Sequence, residues 1–416
     1  MTILSTFVTA FFIITIAILP FSSSHFRKNK NLMQNYWIVI FLYQVVAFTN
    51  AFLFRTIGAD MDAHSFHVLA TNISQVGVFK FDSDADLYIN ILGLFYWLTG
   101  PSHILGEQLS ILSMSISIIV FVKIVDLLKL NRYLVPLVIM YAVLPTMLML
   151  GAITLREPFE LLFLMSAFYF GLKMKIYSNN KVSSFLFMLL FCVMMGLLHK
   201  ALFLYSLILV GIHLFWNIKK TNARFRITMP RIFVLVITPL ILYIFFNIAS
   251  NSNVSGSELF RMISSFEMLD AIEKHRSVTP IGRASYSIPL DTSSLFTVIY
   301  SSFLIYINYL FAPFVWQVSS LSDVYAFIES ILHMTLIYYS IKLWKLEKGQ
   351  MHQILGMLLL LFFIMTFMWS LGTTNYGTGM RHKMMSWWML ALMGGPLLCE
   401  SIFLQIRLLK YGSHKK

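Results

Sequence analysis

Apolar runs of about 20 residues recur along most of this chain, and each is long enough for an α-helix to cross a lipid bilayer. Hydrophobic residues make up 58% of the sequence, whereas charged residues make up only 12%. Backbone groups inside lipid must be hydrogen-bonded internally, so only helices and closed barrels cross it. Because the runs are continuous rather than alternating, we predict an all-α, polytopic transmembrane helical bundle that forms one integral membrane domain over residues 1–416.

The runs predict about 11 spans, or about 12 if one ambiguous segment also crosses. Clusters of Lys and Arg mark cytoplasmic loops. A chain of about 11 spans with its N-terminus outside places all of these clusters in the cytoplasm. The ambiguous segment is 293–316, whose proline and polar residues favour a re-entrant or interfacial helix over a further span. The predicted spans cover about residues 2–21, 36–54, 105–128, 134–152, 158–175, 183–198, 201–217, 232–249, 323–343, 353–371 and 384–405.

The formal net charge of +13 is concentrated in these short loops. That placement indicates topology control and contact with anionic membrane lipids, so we predict membrane lipids as partners and exclude nucleic acid. Cys192 and Cys399 both lie inside apolar runs. Their position excludes a disulfide framework and a zinc site.

The predicted orientation places most of the unusual polar residues on the extracytoplasmic side. Two long loops, 55–103 and 250–292, lie there. The first contains an amphipathic helix over about residues 87–98, too short to span and suited to the membrane interface. Charged groups close to lipid are costly and usually have a partner or a task. We therefore expect the outer polar residues to gather in one cavity.

The stretch GADMDAHSFHV is the first candidate site. In a helix from Asp60, the side chains of Asp60, His64 and His67 share one face, while Asp62 points elsewhere. A carboxylate beside an imidazole can remove a proton from a sugar hydroxyl, which makes Asp60, Asp62 and His64 the candidate catalytic residues. Two alternatives are a divalent metal held by the trio and a solvated loop with an aspartate N-cap.

Basic residues at the outer ends of spans are candidate ligands for a phosphate. Arg156, in the tight turn TLREPFE, can grip a phosphate through two nitrogens, or else pair with Glu157 or with lipid headgroups. Lys200 interrupts an apolar stretch, and its alternative is a simple polar turn. In NYGTGMRHK, flexible glycines precede Arg381 and His382 where the last span begins, and a helix N-terminus also favours anions. The alternative there is headgroup anchoring.

The chain resembles the GT-C class of membrane glycosyltransferases and the bacterial surface-polysaccharide polymerases of the O-antigen type. The resemblance is carried by GADMDAH, by the span HILGEQLSILSMSISIIVFVKIVDLL, by the helical pair LPTMLMLGAITLREPFELLFLMSAFYF, and by a late loop with Arg before the last span. It covers about residues 50–220 well and the remainder loosely.

The resemblance implies an enzyme that moves sugar units from a polyprenyl-phosphate or -pyrophosphate donor to a glycan or lipid acceptor on the extracytoplasmic face. It assigns the family's acidic residue to Asp60 or Asp62, and the lipid-phosphate ligands to Arg156, Arg381 and Lys200. It also implies a bacterial inner membrane and other polysaccharide-assembly proteins as partners. One alternative is a flippase for lipid-linked saccharides. A flippase would need ionisable groups near the bilayer midplane, and the sequence places few charges in the middle of its spans. The other alternative is a non-catalytic scaffold.

Overall fold

The computed structural model describes residues 2–60, 62–79, 85–177, 181–216, 218, 267–278, 284–286 and 288–412. Within these ranges the chain forms sixteen α-helices and no strand, so the all-helical prediction is confirmed. The helices are α1 (Ile3–Ile18), α2 (Ser24–Lys28), α3 (Lys30–Phe52), α4 (Asp62–Val76), α5 (Asp86–Thr99), α6 (His103–Leu127), α7 (Leu134–Ala142), α8 (Pro145–Gly151), α9 (Glu157–Ile176), α10 (Lys181–Leu198), α11 (Lys200–Phe215), α12 (Glu267–Val278), α13 (Leu295–Phe311), α14 (Leu321–Leu346), α15 (Gly349–Gly372) and α16 (Tyr376–Gly412).

Seven helices of the described ranges are long and apolar enough to cross a membrane, which confirms a multi-pass membrane protein. These are α1, α3, α6, α10, α14, α15 and α16. The predicted span at 158–175 is helix α9, which carries charges at both ends, and the span at 201–217 is the shorter helix α11. The predicted span at 232–249 lies outside the described residues. The total number of spans stays a prediction.

The predicted span at 134–152 is divided into α7 and α8. The break falls at Val143 and Leu144, directly before Pro145. A residue that precedes proline is disfavoured in helical conformation, and proline suits the first turn of the next helix. The predicted span therefore contains a break, and Pro145 is the reason.

The ambiguous segment contains α13, which is 17 residues long and opens with a capping box between Ser294 and Thr297. At 1.5 Å per residue such a helix is about 26 Å long, shorter than the roughly 30 Å of hydrocarbon. Its length therefore favours the re-entrant or interfacial interpretation of 293–316.

Contacts group the chain into two compact units. Unit 1 contains Met1–Lys123 and Pro145–Trp216. Unit 2 contains Ile124–Leu144 and Ile272–Lys416. The expectation of one domain over the whole chain stays a prediction.

Helix α6 forms the core of unit 1. Of its most apolar stretch of 18 residues, 83% is buried. Four buried serines, at 110, 113, 115 and 117, keep its surface narrow enough for close packing in lipid. The hydroxyls of Ser115 and Ser117 donate to the carbonyl oxygens of Ile111 and Met114, each over 2.7 Å. Because these hydroxyls bond to their own helix, the serines are buried without loss of hydrogen bonding.

The loop after α3 folds back on unit 1 as the helix pair α4 and α5. The predicted amphipathic helix at 87–98 is confirmed as α5, which buries Tyr88, Leu92 and Tyr96. Its other face exposes Trp97 and Leu98. An apolar exposed face on a helix of 14 residues suits an interfacial position rather than a span.

In unit 2, helix α16 packs on α14, α15 and α7. Arg276 of α12 caps the end of α15, because its Nη1 donates to the carbonyl oxygens of Ser370, Leu371 and Thr373. The Ser370 carbonyl also accepts from the backbone N–H of Thr373, and the guanidinium supplies donors at this helix end, where the last carbonyls have no further helical turn to bond to. The segment before α13 then runs beside the start of α16, where the backbone of Tyr286 donates to Thr374 over 3.1 Å.

Candidate functional site

A cavity opens in unit 1 where α3 ends and where α4 and α6 begin. It has a volume of about 170 Å³, and Ala51 and His103 also line a second cavity of about 200 Å³. A cavity of about 150 Å³ can hold a benzene-sized guest, so this site has room for a phosphate group but not for a saccharide chain. The first cavity is lined by Asn50, Ala51, Arg55, Ala59, Ala63, His64, His103 and Thr154.

Arg55 supplies the fixed positive charge of this cavity. Its Nη1 donates to Asp60 Oδ1 over 3.1 Å, and its Nη2 lies 3.4 Å from His64 Nδ1. The side chains of Arg55 and Asp60 are 50% and 68% exposed, so their ion pair adds little stability. Asp60 does not line the cavity, and its contact with Arg55 orients the guanidinium instead.

The bond from Arg55 also fixes the state of the His64 ring. A guanidinium only donates hydrogen bonds, so the Nδ1 atom that faces it must be the acceptor, and Nε2 then carries the proton of the neutral ring. His64 therefore presents an N–H donor. Asp62 lies in the first turn of α4, where a carboxylate is favoured by the helix dipole.

His67 and His103 stack face to face with their ring centroids 3.6 Å apart. His67 Nδ1 is also hydrogen-bonded to the Tyr96 hydroxyl over 2.8 Å. Burial, with the positive charges of His103 and His64 as lesser causes, lowers the pKa of His67 to about 4. His67 is therefore neutral near pH 7.

Gly106 allows α6 to pack closely against Thr154 and Tyr96. A Cβ atom at this position would lie 2.7 Å from Thr154 Oγ1 and 3.1 Å from the Tyr96 hydroxyl. Only glycine therefore lets these two polar groups approach α6 so closely.

Asn50 lines the cavity and is hydrogen-bonded to the buried acid Glu107. The Glu107 side chain is fully buried, and Asn50 Nδ2 donates to its Oε1. Sequence reasoning missed Asn50, His103, Glu107 and Thr154 as neighbours of this site. An acid inside the apolar run HILGEQL was the available signal, because ionisable groups within spans mark functional sites.

The metal hypothesis for this face gains no support. Among the residues that the structure describes, no three His, Cys, Asp or Glu side chains are grouped so that they could hold a metal ion. Asp60 instead contacts Arg55, and His67 contacts Tyr96.

Arg156 lies at the start of α9, whose first turn contains Pro158 as predicted. Its Nε lies 3.2 Å from Glu160 Oε1, off the line of a hydrogen bond, and its Nη1 donates to the Leu198 carbonyl over 3.0 Å. These contacts tie α9 to the end of α10. A phosphate contact by Arg156 stays a prediction.

His199 separates α10 from α11 and caps the latter, because its Nδ1 accepts from the backbone N–H of Ala201 over 3.1 Å. Lys200 is the first residue of α11. The predicted polar turn between two helices is therefore present here. The proposed contact between Lys200 and a phosphate stays a prediction.

Arg381 and His382 belong to unit 2. The predicted flexible loop around Gly377 and Gly379 is helical instead, since α16 already begins at Tyr376. The cause is the Asn375 side chain, which accepts from the Thr378 backbone N–H over 2.8 Å and caps the helix.

The His382 ring is held within unit 2. It stacks on Trp369 at 4.0 Å, and its Nδ1 is hydrogen-bonded to the Thr373 hydroxyl over 2.9 Å. Arg381 beside it is half-buried. The predicted convergence of these residues with Asp60 and Arg156 in one cavity stays a prediction.

No protein-family model, curated protein or solved structure matches this chain.

Proposed function

We propose that this protein is a membrane glycosyltransferase or polysaccharide polymerase that uses a polyprenyl-linked saccharide as donor. The observation that carries the proposal is the unit 1 cavity, where Arg55, His64 and His103 meet at the ends of α3 and α6. A guanidinium and two imidazoles in a site of this size suit the phosphate of an amphipathic lipid. We place the activity on the extracytoplasmic face of a bacterial inner membrane, beside other polysaccharide-assembly proteins.

The surface next to the cavity suits a lipid tail. Phe52, Leu53 and Phe54 directly precede Arg55 and are 59%, 76% and 68% exposed. Phe52 also lines the second cavity. A polyprenyl phosphate combines an apolar tail with an anionic headgroup, so the apolar run can contact the tail while Arg55 contacts the phosphate.

In the proposed reaction the acceptor hydroxyl oxygen bonds to the anomeric carbon of the donor sugar. The bond from that carbon to the phosphate oxygen breaks, and its electron pair stays on the phosphate. Arg55 and the Nε2–H of His64 stabilise this growing negative charge. His103 accepts the proton of the acceptor hydroxyl as general base. Asp60 acts by holding Arg55.

Turnover of a lipid-linked oligosaccharide by purified protein in lipid vesicles tests the proposal. We expect a lengthened or newly glycosylated product from the wild type, and about 10²- to 10⁴-fold less from His103→Gln, the usual range for loss of a general base. Arg55→Gln is expected to be inactive. The matched control is Arg132→Gln, which removes another exposed arginine paired with an acid, Glu400. Equal product from all four proteins would refute the proposal.

A transporter of lipid-linked saccharides is the second candidate, and unit 2 provides an observation in its favour. Glu329 and His333 of α14 and Lys383 of α16 are 4%, 3% and 4% exposed, within helices long enough to span. Ionisable groups inside spans often mark substrate or ion pathways. In the same vesicles, movement of the substrate across the membrane without a new glycosidic bond would identify a transporter.

A further inference from the structure

Glu107 is a buried acid that the proposed reaction does not use. It lies in the second turn of α6 and is fully buried, and it does not line either cavity. Its Oε2 atom has no hydrogen-bond partner among the residues that the structure describes. A buried carboxyl group is costly, so its presence in α6 requires a reason.

A chain of hydrogen bonds joins Glu107 to the loop that carries Arg55. Asn50 Nδ2 donates to Glu107 Oε1. Asn50 Oδ1 in turn accepts from the backbone N–H of Thr56 over 3.0 Å and from the Thr56 hydroxyl over 3.3 Å. Arg55 immediately precedes Thr56. Glu107 is therefore linked to the backbone next to Arg55 through the side-chain amide of Asn50.

The order of donors and acceptors explains why an acid stands at this position. An asparagine amide has a donor end and an acceptor end, which can exchange by rotation of the group. The Glu107 oxygen accepts the Nδ2 end, which turns Oδ1 toward the two donors of Thr56. An apolar side chain at 107 would leave the Asn50 amide N–H without this acceptor, so the amide would be held less firmly against Thr56.

We propose that Glu107 is a positioning residue, which orients Asn50 and so holds the Arg55 loop in place for a phosphate-class anion. The nature of the anion rests on the proposed function. The positioning itself does not, because it concerns only bonds within the protein. The carboxylate acts through its hydrogen bond rather than its charge, so glutamine can replace it.

Hydrogen exchange at the Thr56 amide in the full-length protein tests the positioning. We expect the amide to exchange on the order of tenfold faster in Glu107→Leu, the effect of about one lost hydrogen bond. Glu107→Gln keeps the acceptor and is expected to exchange like the wild type.

Gln108→Leu is the matched control. Gln108 is equally buried, one residue further along α6, and it forms two hydrogen bonds of 2.8 Å to Gln44 of α3. Its loss therefore removes contacts between the same two helices but leaves Thr56 protected. Faster exchange in both Leu variants, or in neither, would overturn the positioning role, as would exchange in Glu107→Gln as fast as in Glu107→Leu.

Binding of a polyprenyl phosphate to the same four proteins provides the second measurement. The inference predicts weaker binding by Glu107→Leu and binding by Glu107→Gln like that of the wild type, because glutamine keeps the hydrogen-bond acceptor. If the exchange pattern is as predicted and none of the proteins binds the lipid, the proposed ligand is wrong while the positioning role stands. Unchanged binding in Glu107→Leu would overturn the link between the loop and the anion.

Discussion

At the scale of single residues, the sequence predicted the neighbourhood of the unit 1 site but not the roles within it. His64 lines the cavity, and Asp60 and His64 both contact Arg55. Because Asp60 and His64 are only four residues apart, the sequence already indicated that their side chains lie close together. His103 comes from a different segment of the chain, and its stacking on His67 is a tertiary contact that no local spacing encodes.

The lowered pKa of His67 predicts a pH dependence of stability. A free histidine has a pKa near 6.5, whereas burial lowers the pKa of His67 to about 4. Between these values the unfolded chain binds more protons, so this contribution to stability is complete above about pH 6.5 and is lost as the pH falls toward 4. In thermal unfolding in detergent between pH 7 and pH 4.5, we expect the midpoint of His67→Gln to fall less than that of the wild type.

The exposed His275 provides the control for this experiment. His275→Gln is expected to lose as much stability on acidification as the wild type. If His67→Gln and His275→Gln show the same decrease, the environment assigned to His67 is wrong.

At the scale of elements, hydrophobic period and capping residues predicted most helices. The helix at 87–98 and the proline in the first turn of α9 were found correctly. One break within a predicted span was not foreseen, and one predicted loop is helical. Pro145 divides one predicted span, and the Asn375 cap starts α16 ahead of its glycines. Such short-range effects compete with a long apolar pattern and can override it.

Gly106 tests the packing of α6 against the cavity wall. Gly106→Ala places a methyl group 2.7 Å from Thr154 Oγ1, and we expect it to destabilise the protein by about 1–3 kcal/mol, as overpacked cores are. The control is Gly211→Ala in α11, where nothing lies within 4 Å of the added carbon. Alanine is the better helix former, so that variant is expected to be neutral or more stable. Higher stability of both variants in thermal unfolding would contradict the close approach.

At the scale of the whole molecule, composition and apolar runs were enough to predict an all-helical, multi-pass membrane protein. They could not show which distant polar residues share a cavity, because the three-dimensional contacts of Arg55, His103 and Glu107 join segments far apart in sequence. The expectation of few charges within spans also missed Glu329, which lies inside the predicted span 323–343. The burial of Glu329 and Lys383 in unit 2 could not be read from the sequence.

Binding of a polyprenyl phosphate, measured by native mass spectrometry on the detergent-solubilised protein, tests the central claim most directly. We expect the wild type and Arg132→Gln to bind the polyprenyl phosphate in preference to the uncharged polyprenol. Arg55→Gln is expected to lose that preference, because the cavity loses its fixed positive charge. Equal binding of phosphate and alcohol by the wild type, or undiminished phosphate binding by Arg55→Gln, would contradict the assignment of this cavity as a lipid-phosphate site.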